Sequence, residues 1–498
     1  MQSTLSLLGD GFALALQPTY LAYSFAGAFL GTVIGVLPGI GSAGAIAMLL
    51  PIVFVLDPIG SIIMLAATYT GAMYGGSTAS ILMRVPGETS AVVACLDGHE
   101  MAKQGRAGEA LCIAAIGSYI AGTIAVLGLM LIGPMVAEAA LAFSAPEYFA
   151  LYVFGLTAVA SLAGDSLVKA LLAMTFGLMI STVGEDMMGV QRYTFRFEAM
   201  WDGVQFLAVT LGLFAVSEVL INAKKLRANE LGEVLKHRIY ITFAEVMRCM
   251  GAIFRGGSLG FFVGVLPGAG AGIASFMSYS LERQISKHPE GFGKGDIKGV
   301  AGPESANNAA SAGAFVPMLA LGVPGSSTTA VMLGAFIMLG INPGPLLFVQ
   351  RPDVVWGLIA ALYVGNIMLL ILKLPLIGIF VKILHTPMRI LLPLIIVISV
   401  TGVYLSDALT LSLVFLVFFG VLGYYMQRHG FPLSLIILGV VLGSSMERSF
   451  RQSMIMSGGD ITSFLDHPIV VVFLILSVCF LCLPLFLRGR QRLQLADE

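Results

Sequence analysis

The sequence predicts an all-α integral membrane protein of about 12 spans, including re-entrant hairpins and broken helices, built as two repeats of inverted topology. Three observations predict it. The 498 residues are 57% hydrophobic and 11% charged, with a mean hydropathy of +0.93, outside the balance of soluble domains. Apolar runs long enough to cross a hydrocarbon core of about 30 Å recur along the whole chain. One stretch also occurs twice: GAFLGTVIGVLPGIGSAGAIAML from Gly27 to Leu49 and GGSLGFFVGVLPGAGAGIASFMS from Gly256 to Ser278, 229 positions on, agree at 11 of 23 residues.

Taken in order, residues 1–222 form a first membrane repeat, with apolar runs at 18–38, 61–83, 110–137, 147–163, 167–185 and 203–221. The N-terminus has no basic n-region and no small-residue cleavage site, so no removable signal peptide is expected. A linker at 223–250 carries Lys224, Lys225, Arg227, Lys236, Arg238 and Arg248, and the positive-inside rule puts it in the cytoplasm. Residues 251–467 form the second, inverted repeat, with runs at 251–283, 306–341, 354–385, 388–404, 407–426 and 432–447. Residues 468–498 add a helix over 468–487 and a tail whose Arg488, Arg490 and Arg492 make the C-terminus cytoplasmic.

Each GVLPG copy sets a Pro-Gly pair, Pro38-Gly39 or Pro267-Gly268, in the middle of an apolar stretch, where a helix has to break. A second break recurs as VPGETS at Val85 to Ser90 and VPGSST at Val323 to Thr328. Besides the linker, the basic loops are 99–106, after the first VPG, and 283–298, before the second. If both face the cytoplasm, the halves enter the membrane in opposite directions, GVLPG is a hairpin tip, and VPG interrupts a crossing segment. Arg448 and Arg451 then fall on the outer side, against the rule.

Behind each Pro-Gly pair a new helix starts with amides that lack intrahelical partners. In hydrocarbon such amides need a ligand, and a carboxylate also matches the positive end of the helix dipole. Glycines at Gly39, Gly41, Gly268, Gly270 and Gly272 let a ligand or a second tip approach the backbone, and Pro38 and Gly325 of the breaks join the substrate candidates. Ser42, Thr89, Ser90, Ser326, Ser327 and Thr328 add hydroxyl donors without charge. PESANN, Pro303 to Asn308, stands where the polar loop is expected to return into the membrane, so Asn307 and Asn308 are substrate candidates. Glu304, Asp165 and Asp407 are candidates for coupling to a cation, because acids within membrane segments are functional by default. The competing reading is that these residues only cap helices at the membrane surface.

Other signals point nowhere. Gly39, Gly41 and Gly44 satisfy GxGxxG, but the preceding apolar run is too long for one strand and the second copy has Ile273 at the third glycine. Gly27, Gly31 and Gly35, matched by Gly256, Gly260 and Gly264, read as a face for close helix packing. Cys95, Cys112, Cys249, Cys479 and Cys482 suggest neither a disulfide framework nor a metal site, and His99-Glu100 lacks the second histidine of HExxH. No GxxxxGK[ST] is present, so neither ATP nor any organic cofactor is indicated, and an ion gradient is the expected driving force.

GVLPGIGSAG, GVLPGAGAG and GPESANNAASAGAFVPMLALGVPGSSTTAV, with the spacing among them, resemble the large membrane subunit of the tripartite tricarboxylate transporters over nearly the whole chain. The resemblance implies a bacterial inner-membrane permease working with a small membrane subunit and a periplasmic solute-binding protein. Its substrate would be citrate or a related di- or monocarboxylate, carried with sodium ions or protons. The motif falls on Gly39, Gly41, Gly268, Gly270, Asn307, Asn308 and Ser326 to Thr328. The expected partners are these two subunits, the substrate and the lipid bilayer, with no nucleic acid; homodimerisation is left open. An ion or anion channel is the alternative, and an intramembrane hydrolase is disfavoured because no histidine or lysine is placed beside a membrane serine.

Overall fold

A computed structural model describes residues 4–37, 40–162, 166–225, 240–375 and 388–494. Pro38, Gly39, Asp165 and positions 226–239 of the basic linker lie outside the described residues. The first half comprises α1 (Thr4–Ala15), α2 (Pro18–Val36), α3 (Gly41–Val53), α4 (Pro58–Met83), α5 (Ala94–Lys103), α6 (Ala107–Ala140), α7 (Ala145–Leu162), α8 (Leu167–Ser181), α9 (Phe206–Leu211) and α10 (Ser217–Lys225). The second comprises α11 (Phe243–Val265), α12 (Gly270–Ile285), α13 (Lys298–Gly313), α14 (Phe315–Leu321), α15 (Ser327–Met338), α16 (Pro345–Gln350), α17 (Pro352–Lys373), α18 (Met388–Asp407), α19 (Thr410–Arg428), α20 (Leu433–Met456) and α21 (Pro468–Gln494). Among the described residues the only sheet is a two-residue pairing of 184–185 with 191–192.

The chain is thus an all-α, multi-pass membrane protein. Nine described helices are long and apolar enough to cross a bilayer, fewer than the twelve or so spans expected. The shortfall has a physical origin in the breaks. Helices α3 and α15, which begin behind the Pro-Gly breaks, are apolar but only 13 and 12 residues long, and α8, capped by Ser166, has 15.

Close packing follows the small residues. Gly27, Gly31 and Gly35 of α2 press against the carbonyl oxygens of Met64, Thr68 and Ala72 on α4, too tightly for any Cβ. In the second half Gly256, Gly260 and Gly264 of α11 press in the same way against Gly302, Ala306 and Ala310 of α13. Contact pairs 64/302, 68/306 and 72/310 keep the spacing that also relates the VPG motifs at Val85 and Val323. A Cβ at Gly87 would stand 2.6 Å from the Gly35 carbonyl, and one at Gly325 2.9 Å from the Gly264 carbonyl. Each VPG glycine therefore seats its break on the end of its own hairpin arm.

The two basic loops lie side by side. Asp97 of α5 accepts from the amides of Gly293 and Gly295 at 2.9 and 2.7 Å, Gln104 donates to the Lys294 carbonyl at 2.8 Å, and Arg106 to the Gly295 carbonyl at 3.3 Å. Arg451 pairs with Asp186 at 3.1 Å and Glu447 at 2.9 Å, and Arg192 grips Glu447 with both Nη atoms. The charge at the supposed outer side is thus held in a carboxylate network.

Candidate functional site

At the positions described in both, the two hairpin tips share their backbone conformation. Leu37 and Leu266 are extended, with φ and ψ of −78° and 122° and of −76° and 123°. Gly41 and Gly270 then take the left-handed region at φ 65° and 63°, where side chains are disfavoured, and α3 and α12 begin. Gly268, at φ 81°, donates its amide to the Gly325 carbonyl at 3.1 Å, tying the second tip to the second VPG break.

Each tip also meets the break of the other half. Ser42 Oγ lies 2.6 Å from Thr328 Oγ1, and the Ser42 amide donates to Glu88 Oε2 at 3.1 Å. Across the site, a Cβ on Gly272 would stand 3.3 Å from Thr89 Oγ1. The four expected tips therefore converge. Between them lies a cavity of about 590 Å³, lined by Gly268–Ile273, Glu88, Thr89, Ser326, Ser327, Thr328, Tyr69, Met73 and Phe276, with Val159 and Leu162 from α7 and Pro432 and Ser434 at the start of α20. Its size suits a small organic ligand. Among the described residues Glu88 is the one carboxylic acid of the lining, and no lysine, arginine or histidine belongs to it.

Hydroxyls divide by role. Ser326 caps α15 in a reciprocal pair with Thr329, and its Oγ shares a hydrogen bond with Tyr69 Oη at 3.3 Å. Ser327, half-buried, faces the cavity one residue on. Ser90 is buried behind the wall against Met73 Sδ at 3.7 Å. Of the expected substrate residues with a described position, Thr89, Gly268, Gly270, Ser326, Ser327 and Thr328 line the cavity, and Gly41, Ser42, Ser90 and Gly325 support it from behind.

PESANN is not at a loop returning into the membrane. It lies wholly buried in the middle of α13, because the chain around Pro303 is rich in small residues that let α13 fit between α11, α12 and α6. Asn307 and Asn308 consequently do not line the cavity. Asn308 donates to Ser118 Oγ at 2.7 Å, while Asn307 finds no hydrogen-bond partner among the described residues. Glu304 receives Ser77 Oγ inside the same packing layer, and Lys373, equally buried, donates to the Tyr74 carbonyl at 2.9 Å. Asp407, the last residue of α18, receives the Leu409 amide at 3.0 Å and Ser412 Oγ, which ties the turn between α18 and α19.

A family model described as the tripartite tricarboxylate transporter TctA family matches residues 21–438. The chain belongs to the TctA family. TctA proteins are transporters, not enzymes, and serve with a small membrane subunit and a periplasmic binding protein in the tripartite system. The chain is 44% identical over 486 residues to an uncharacterized 52.8 kDa protein in the TAR-I ttuC' 3' region of Agrobacterium vitis, covering 97% of both chains. It is also 44% identical over 242 residues to an uncharacterized protein in the TAR-II ttuC' 3' region of the same organism, covering 48% of this chain and 100% of that one. No solved structure matches it significantly.

Several lining residues of this TctA chain were missed by sequence reasoning. Glu88 stands inside VPGETS, and the rule that flagged Glu304 would have found it. Tyr69 occupies the position that the repeat matches to Asn307. Val159, Leu162, Pro432 and Ser434 carry no motif and reach the site only through helix packing.

Proposed function

We propose that this TctA chain is the permease subunit of a binding-protein-dependent secondary transporter that imports organic carboxylates, a tricarboxylate such as citrate or a related di- or monocarboxylate. A sodium or proton gradient drives it. The observation that carries this reading is Glu88 on the Ser42 amide. A hairpin tip of this protein already holds a carboxylate, one supplied by the chain itself. The matched tip, with the same backbone conformation at the positions described in both, opens into the cavity and offers its first amides and the Ser327 hydroxyl to a carboxylate from outside.

In this reading the halves are inverted repeats, residues 1–222 and 251–467, with the adjoining basic loops and the C-terminus in the cytoplasm of a bacterial inner membrane. One bundle rocks against the other around the tips to alternate access. A periplasmic binding protein delivers the substrate, and the small subunit completes the membrane assembly. Glu304 keeps a place as the acid of a buried polar layer beside the tips, where it and Asn307 would solvate an ion in transit.

The test is uptake of labelled citrate, succinate and benzoate into proteoliposomes holding this chain, its small subunit and its binding protein. Saturable uptake of at least one acid, dependent on the binding protein and on a sodium or proton gradient, is expected. Flux that neither saturates nor needs a gradient would instead support a channel.

A further inference from the structure

We propose that Glu88 couples the substrate to a cation: an organic carboxylate settles at the open α12 tip only when Glu88 has taken up one positive charge, as a proton or a bound monovalent metal ion. The proposal rests on the reading of the cavity as a carboxylate site and names the residue that sets its driving force.

The argument begins with the charges on the walls. Among the described residues, an anion entering this cavity meets amide and hydroxyl donors, one carboxylate, and no basic side chain. Two like charges facing each other across a cavity with little water repel strongly, because the medium between them screens poorly. Hydrogen-bond donors at a helix start favour the anion but do not cancel the fixed negative charge. A neutralising charge must therefore arrive with the substrate.

Surrounding groups do not supply it. Among the described residues, the titratable side chains within electrostatic reach of Glu88 are Tyr69 from α4 and Glu304 from α13. Lys373 from α17 is turned to the Tyr74 carbonyl and ring and lies nearer to Glu304. From α3 Glu88 receives the Ser42 amide, and the hydroxyls of Ser42 and of Ser90 in its own loop stand close by, so these elements bring donors but no charge.

The acid also occurs only once. In the second half the matching position, counted from VPG to VPG, is Ser326, whose hydroxyl is engaged in capping α15. One half of the site therefore carries a charge that the other lacks. Glu88 holds the α3 tip while the α12 tip is left for the ligand, so a cation bound at Glu88 would sit beside the incoming carboxylate.

Glu88→Gln keeps an acceptor for the Ser42 amide and removes the charge, whereas Glu88→Asp keeps the charge. Binding of citrate, succinate and benzoate to the purified membrane assembly is measured by calorimetry, varying proton activity at fixed sodium and then sodium at fixed pH. One cation per carboxylate gives about a tenfold change in apparent affinity for each tenfold change in the activity of the coupling cation. The arm that moves identifies the cation as proton or sodium. In Glu88→Gln the same scan should change affinity less than about twofold, and Glu88→Asp should restore the slope. A Glu88→Gln protein that keeps the wild-type slope, or a Glu88→Asp protein that loses it, would overturn the proposal. Wild-type binding with no slope in either arm overturns the coupling role alone, whereas wild-type binding of none of the three acids overturns the carboxylate reading itself.

Discussion

In the first half of the molecule, a glycine-faced arm leads to a tip whose leading amide is bound by Glu88; in the second half, a matching arm leads to a tip that borders an open cavity. The positions that bear packing are duplicated almost residue for residue: 31 with 260, 35 with 264, 41 with 270 and 87 with 325. Those that bear a ligand have diverged, with Glu88 opposite Ser326 and Ser42 opposite Ala271. Duplication thus supplies a rigid frame, and the difference between copies supplies a site with one closed and one open end. Helix packing tolerates little change because neighbouring backbones touch, whereas the tips can exchange a side chain without moving the arms.

The largest effect that could break the comparison comes from the arms. Gly31→Val and Gly260→Val each force a side chain into a carbonyl of the partner helix, and each should cost about 3 kcal/mol, read as loss of thermal stability in detergent. Markedly unequal losses would mean that the arms are not equivalent. At the tips, Ser327→Ala removes a donor facing the cavity and should raise the half-saturating carboxylate concentration about tenfold, the equivalent of about 1.4 kcal/mol. Ser42→Ala, whose hydroxyl is engaged with Thr328, should raise it only about threefold. The reverse order would place the open tip in the first half.

Smaller effects sharpen the boundary of the site. Asp407→Asn should change uptake less than about twofold, since asparagine keeps an oxygen acceptor for the Leu409 amide in the turn. A larger loss of uptake with intact protein would return Asp407 to the coupling machinery. Smallest is an effect of pH on the 184–205 loop. The Val190 amide, helped by the Met188 amide and Arg451, holds the Asp186 carboxyl below its usual range. A depressed carboxyl stabilises the folded loop above the ordinary value of about 3.9 and loses that contribution as pH falls through its lowered value. Trp201, whose carbonyl receives the Glu185 amide, should therefore shift its emission to the red in a Trp356→Phe background only below about pH 4. Arg451→Ala should move that shift to higher pH.

Both kinds of break and both glycine faces were legible in the sequence because each rests on a local rule: proline ends a helix, and glycine every fourth residue admits a backbone. PESANN was misjudged for the same reason. Asn, Ser and Glu are read locally as loop and cap residues, and only the packing of α13 among α11, α12 and α6 makes them interior. Charge in the sequence only raised the case of both basic loops on one side of the membrane; their contact, made by Asp97 gathering the amides of the opposite loop, has no local signature. Asp407 stands at a helix junction in the sequence, where a turn residue competes with a coupling role, and its partners, the Leu409 amide and Ser412, place it in the turn between α18 and α19.

The most direct measurement compares the two tips in one protein. Cysteines placed at the matched positions, Ala271→Cys at the open tip and Ser42→Cys at the closed one, are labelled with a small thiol reagent in the reconstituted assembly, with the parental chain as background. A transported carboxylate, with its coupling cation present, should slow labelling at position 271 about tenfold, as expected for a site occupied nine-tenths of the time, and leave position 42 unchanged. Equal protection at both positions, or none at 271 while uptake continues, would contradict the account.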